Sequence, residues 1–133
     1  MIIVDDRLAS AVLSGRRHLV PGDGPVATTW GFHYRLVRAL TDGRVEGTLI
    51  RAAADVAPAI AASPPPAVLD ILDPRLATHA TAQLSIDHRL NLLAAELAAA
   101  AQVHRAEIVL AAGNVGRSWP DLFAELGIPL TVV

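Results

Sequence analysis

Cysteine is absent from this chain, which removes disulfides, zinc–thiolate sites and cysteine nucleophiles and leaves nothing that argues for an oxidising compartment. Lysine is absent as well. All 11 basic residues are Arg. Guanidinium groups suit two-point contacts with phosphate or carboxylate, although GC-rich codon usage accounts for the same bias and is the weightier explanation. Long runs of one charge are also missing. With 11 basic against 13 acidic side chains the net charge is -2, so overall charge does not draw the chain to nucleic acid. The first apolar run lacks both a basic leader and a small-residue cleavage site, and the longest apolar stretch, around Leu92 to Ala101, is interrupted by Glu96 and too short for a bilayer. A soluble, cytoplasmic protein without membrane contact is expected. Gly-x-Ser-x-Gly, His-Glu-x-x-His and Gly-x-x-x-x-Gly-Lys patterns are missing, and no glycine-rich loop follows the first apolar run, Asp5-Asp6-Arg7-Leu8 standing there instead.

What is present is apolar and periodic. Hydrophobic residues make up 53% of 133 residues against 18% charged, the balance of one compact domain spanning residues 1–133. Four short aliphatic runs read as strands buried on both faces: Met1 to Val4, Ala67 to Leu72 after Pro64-Pro65-Pro66, Glu107 to Ala112, and Leu130 to Val133. A weaker fifth runs from Pro25 to Thr29. Helical spacing separates them at Arg7 to Leu13, Trp30 to Leu40, Arg44 to Ala62 with a break at Gly47 or Pro58, Pro74 to Leu84, and Leu90 to Val103. Ser85 or Asp87 is the expected cap of the last of these. Ser118 is the expected N-cap of a closing helix with proline in its first turn, which Gly127 ends. Strands alternating with helices predict an α/β domain of three layers, a central, mostly parallel sheet of four to five strands with helices on both faces.

In such a sheet, ligands meet the carboxyl ends of the strands. The first run ends there on two carboxylates, Asp5 and Asp6, either of which also suits the N-cap of the following helix.

The strand Ile2-Ile3-Val4 closing on Asp5-Asp6, together with the alanine-rich Leu92 to Ala101 and the segment Ile108-Val109-Leu110-Ala111-Ala112-Gly113-Asn114-Val115 followed by Leu122-Phe123 and Leu126-Gly127-Ile128-Pro129-Leu130, resembles the PIN-like domains. Many small prokaryotic RNA-cleaving toxins have that fold. The likeness covers both ends of the chain well and the middle poorly. It implies a three-layer PIN-like fold in which three or four carboxylates hold Mg²⁺ or Mn²⁺, the ions activating water against a phosphodiester. Carried over by position, Asp5 matches the first acid. Where the second is usual, the segment Thr29 to Arg35 holds no carboxylate and His33 stands nearest; His33 reads better as a polar residue flanking a helix. Trp30 and Tyr34 suit base stacking or plain packing.

Glu96 is the only carboxylate of the alanine-rich helix and corresponds to the third acid, with an exposed helix edge as the even alternative. Asn91 is a neutral ligand or the start of that helix. Asn114 replaces the fourth acid with a neutral oxygen, or is a turn residue beside Gly113. The resemblance thus implies Asp5 and Glu96 as catalytic residues and Asp5, Asp6, Glu96 and Asn114 as metal ligands. That set is short of charge for two Mg²⁺ or Mn²⁺ ions, so one weakly held ion, or none, is expected.

Two functions follow from the resemblance. One is a divergent metal-dependent ribonuclease of toxin type with an incomplete acidic site. The other is a catalytically inactive PIN-like module binding RNA, a nucleotide or a protein partner. Arg7, Arg16, Arg17, Arg35 and Arg117 are the candidate phosphate contacts in either case, and their clustering around Asp5 would favour nucleic acid. Toxins of this kind imply an antitoxin-like protein partner and a homodimer.

Overall fold

The computed structural model describes residues 1–43 and 57–133. Five strands form one sheet in the order β3-β2-β1-β4-β5: β1 is Ile2–Val4, β2 Val26–Thr28, β3 Asp70–Ile71, β4 Glu107–Leu110 and β5 Leu130–Val132. Every pairing is parallel, with Val4 opposite Thr28 on one side and Val109 on the other. The α-helices of the described residues are α1 (Asp6–Leu13), α2 (Trp30–Thr41), α3 (Ala57–Ala62), α4 (Thr78–His88), α5 (Leu92–His104) and α6 (Trp119–Glu125).

The strand order reverses at β1. The chain steps outward from β1 to β2 and β3, then crosses back to place β4 on the other side of β1. Crossovers of one hand must then cover opposite faces of the sheet. Side-chain alternation in the central strands agrees. Ile2, Val4 and Val109 pack with Leu8, Val12, Leu36 and Leu40 of α1 and α2, whereas Ile3, Ile108 and Leu110 pack with Leu97, Ala98 and Ala101 of α5 and Phe123 of α6. Three layers result, as the alternation of runs predicts.

Helix α5 owes its place to having no polar face. Eight consecutive residues from Ala94 to Ala101 are buried, which suits a helix enclosed by neighbours on every side and unsuits one with a solvent stripe. Its start differs from expectation. Ser85 and Asp87 lie within α4, where Ser85 Oγ donates to Leu90 O at 2.8 Å and Asp87 Oδ1 accepts from Gln83 Nε2 at 2.9 Å. Asn91 caps α5 instead, Oδ1 accepting from Ala94 N at 2.9 Å. Asn91→Ala is expected to cost about 1 kcal/mol, the ordinary worth of an N-cap, read as a lower urea midpoint at unchanged slope.

Other boundaries shift for local reasons. The run Ala67 to Leu72 yields only Asp70–Ile71 because the amides of Val68 and Leu69 turn back to Pro65 O. Pro74 to Leu84 opens as a 3-10 turn at Pro74–Leu76 before α4 begins at Thr78. The Ser118 hydroxyl accepts no capping bond from the first amides of α6, since its backbone is in the αR region and an N-cap needs extended geometry. Gly127, at φ 70°, does end that helix, its amide bonding Ala124 O. Of the expected helix Arg44 to Ala62, residues 44–56 lie outside the described residues. Among the described residues, no helix is long and apolar enough to cross a membrane.

Candidate functional site

The reversal between β1 and β4 is the place where an open α/β sheet leaves a crevice. Asp5 occupies it. Immediately after β1, its Oδ1 caps α1 by accepting from Leu8 N at 2.9 Å, while Oδ2 accepts from Ala111 N, just past β4, at 2.7 Å. One carboxylate therefore fastens the carboxyl ends of the two central strands together, with 0% of the residue exposed. Of the two acids, Asp5 is the cap.

Asp6, one residue on, faces outward from the same edge. Its Oδ1 accepts from Asn114 Nδ2 at 2.8 Å and its Oδ2 lies 3.4 Å from Arg35 Nε on α2. Burial raises the Asp6 pKa above the ordinary carboxylate range, with Arg35 opposing the rise, the Asp5 charge adding to it and the Asn114 amide opposing it. Three of the four candidate ligands, Asp5, Asp6 and Asn114, thus come together at the strand ends, along with Arg35. Arg7 joins them from α1, its guanidinium lying over Gly113 so closely that a Cβ there would stand 2.9 Å from Nη1.

Glu96 is elsewhere. It points from α5 to the first turn of α2, where Oε2 accepts from Gly31 N at 2.9 Å. The residue is 7% exposed, and burial raises its pKa against the lowering effects of the Gly31 amide, the Thr29 hydroxyl and the Trp30 amide. Gly31 makes this approach fit, because a Cβ would stand 2.6 Å from Oε2 and 3.0 Å from Leu93 Cδ1. A carboxylate at a helix N-terminus meets unpaired amides and the positive end of the dipole. That is what Glu96 does here, and its burial does not match an exposed helix edge. Among the described residues, no group of three or more His, Asp or Glu side chains is placed to hold a metal ion.

The remaining candidates separate into two edges of the sheet. Arg117 is exposed in the loop after β4, on the edge that carries Asp5. Arg16 and Arg17 follow the carboxyl end of α1, toward the opposite edge. The Arg17 guanidinium is occupied there by carbonyls, Val20 O at 2.6 Å, Gly22 O at 2.7 Å and Gly24 O at 3.0 Å, in a loop that Gly22 turns at φ 85°. His33 Nε2 meets Ala61 O at 2.8 Å, tying α2 to α3 as a flanking polar residue.

Arg38 is a further basic residue at this edge. It is exposed two turns along α2 from Gly31 and lines, with Asp6, Arg35 and Ala39, a depression of about 420 Å³. Its signal in the sequence is the spacing, three residues after Arg35, which a helix turns into one neighbouring face. The edge thus carries Arg7, Arg35 and Arg38 around Asp6, a setting able to hold an anionic group. No protein-family model matches the chain, and no curated protein matches it.

Proposed function

We propose that the chain is a PIN-like module that binds RNA at the carboxyl edge of its sheet without cleaving it. The observation that carries this reading is Asp5: the acid matching the family's first ligand has both oxygens taken by backbone amides and no exposed surface. Asp6 is compensated by Arg35, so an ion arriving there must compete with a guanidinium already in place. Glu96 is engaged at the start of α2. The acids build the fold, and Arg7, Arg35, Arg38 and Arg117 supply the phosphate contacts. Neutralising a few phosphates gives binding that weakens steeply with salt. A cytoplasmic location, a homodimer and an antitoxin-like protein partner belong to the same proposal.

The test uses fluorescently labelled single-stranded RNA with Mg²⁺ or Mn²⁺, following anisotropy for binding and gel mobility for cleavage. Saturable, salt-sensitive binding with intact RNA is expected, along with calorimetric heats for either ion no different from dilution. Cleavage by the wild type that Asp6→Asn abolishes would overturn it. Asp6 is the residue to change because Asp5 also holds the fold.

One observation favours the second reading, a divergent Mg²⁺- or Mn²⁺-dependent ribonuclease of toxin type. Asp5, Asp6 and Asn114 do meet at the ends of β1 and β4, where that chemistry needs its ligands. If an ion bound, these three residues would hold it, and it would supply an activated water.

A further inference from the structure

The chain has two Trp, one Tyr and two Phe. Phe32 and Phe123 are fully buried and Trp119 is 9% exposed, packed on Phe123. Trp30 and Tyr34 are the exception. They are 48% and 49% exposed, next to one another on α2, with ring centroids 5.4 Å apart and planes 13° from parallel. Leaving half of two large rings in water forgoes stabilisation that burial would give. Arg38 follows Tyr34 by four residues, and Tyr34, Val37, Arg38, Thr41 and Asp42 line a depression of about 430 Å³ that adjoins the one beside Asp6 and Arg35.

We propose that Trp30 and Tyr34 form a nucleobase platform for single-stranded RNA, with Arg38 beside it contacting phosphate. This rests on the RNA reading above and adds where the strand lies and how it is gripped. Trp30 stacks on the Tyr34 ring. Arg35, on the adjoining face, contacts phosphate. Trp, Tyr and Arg also anchor protein interfaces, but a parallel, half-exposed ring stack with Arg35 and Arg38 on the neighbouring surface fits an unpaired base and its phosphate. Stacking tolerates any base, so affinity follows stacking strength and adenine should exceed uracil.

The experiment measures anisotropy of labelled decamers of riboadenylate and ribouridylate and of an RNA duplex against the full chain, with tryptophan emission recorded alongside. The wild type is expected to bind the riboadenylate decamer best, the duplex least, with emission quenched through the exposed Trp30. Tyr34→Ala and Trp30→Ala should each weaken riboadenylate binding about tenfold and Tyr34→Phe less than twofold, all with unchanged circular dichroism. Arg38→Ala should weaken every oligonucleotide. Wild-type affinity in the Trp30→Ala/Tyr34→Ala double variant, together with loss in Arg35→Ala/Arg38→Ala, would overturn the platform and leave RNA binding standing. No binding of any oligonucleotide by the wild type would overturn both and assign the aromatic pair to a protein partner.

Discussion

Replacing Asp5 by alanine is expected to destabilise the protein by about 3 kcal/mol. Two hydrogen bonds to an ionised acceptor disappear, each worth about 1.5–3 kcal/mol, and the amides of Leu8 and Ala111 lose their acceptor in a site that water reaches poorly. The Leu8 bond is also the N-cap of α1. Asn in place of Asp keeps one acceptor and turns an NH₂ toward one of the two amides, so about 2 kcal/mol is expected. Urea unfolding at equal slope measures both. Acids retained for a ligand commonly give stability back when removed, because binding sites keep strained and repelling groups. A stability within 0.5 kcal/mol of wild type for Asp5→Ala would therefore detach Asp5 from the sheet's architecture and reopen it as a ligand-binding acid.

The same residue explains how far the sequence could be read. Asp5 at a strand end is legible as a cap or as a site acid, since both uses need only the local order strand, acid, helix. Its second bond, to an amide 106 positions away, depends on β4 lying next to β1, which is a matter of topology. Strand and helix order survived for the same reason: short aliphatic runs separated by helical spacing are local signals. Glu96 was illegible in kind. Amphipathic spacing assigns a residue to a face only where a helix has unlike faces, and α5 is apolar all round. Gly31 gave the missing half of the answer, a helix start without a side chain, but nothing in the order of residues joins positions 31 and 96. Arg17 shows a related limit. Its guanidinium is an ion-binding group in composition and a loop clamp in place, because Gly22 folds three carbonyls toward it.

Placed on this sheet, the charged residues divide the work between edges. Arg17 closes the amino edge beside the start of β1, where Gly22 and Gly24 pack against Ile2. Asp5 closes the carboxyl edge across the reversal. Between them the sheet's central strands are fixed at both ends, so the parallel pairs, only three residues long at β1 and β2, do not rely on ladder hydrogen bonds alone. A crevice fastened in this way offers its rim to a ligand, and the rim is where Arg7, Arg35 and Arg38 stand.

Glu96→Ala is expected to cost about 2 kcal/mol near pH 4.5 and less near pH 7.5, and the difference carries the argument. The bond to Gly31 N anchors α5 against the start of α2, and leaving that amide without its acceptor costs about 1–3 kcal/mol. The charge works the other way. Burial raises the pKa of Glu96 in the folded protein, so folding favours its protonated form. For a carboxylate raised on folding, the stabilisation is fully present below the unfolded pKa, about 4.3, and is lost as pH rises through the folded value. Asp6 is raised by burial too and adds a loss of the same sign. Asp73 is lowered by its Arg75 hydrogen bonds, and its contribution falls away only below the ordinary carboxylate range, outside this window. Wild-type stability should therefore decline from pH 4.5 to pH 7.5, Glu96→Gln should remove the Glu96 share of that slope while keeping an acceptor for Gly31, and Glu96→Gln with Asp6→Asn should flatten it further. Urea midpoints across those pH values decide the matter: a wild type that gains stability with pH, or a Glu96→Gln slope equal to the wild type's, would mean that the Glu96 carboxylate is as well accommodated charged as neutral, and that the start of α2 solvates it fully.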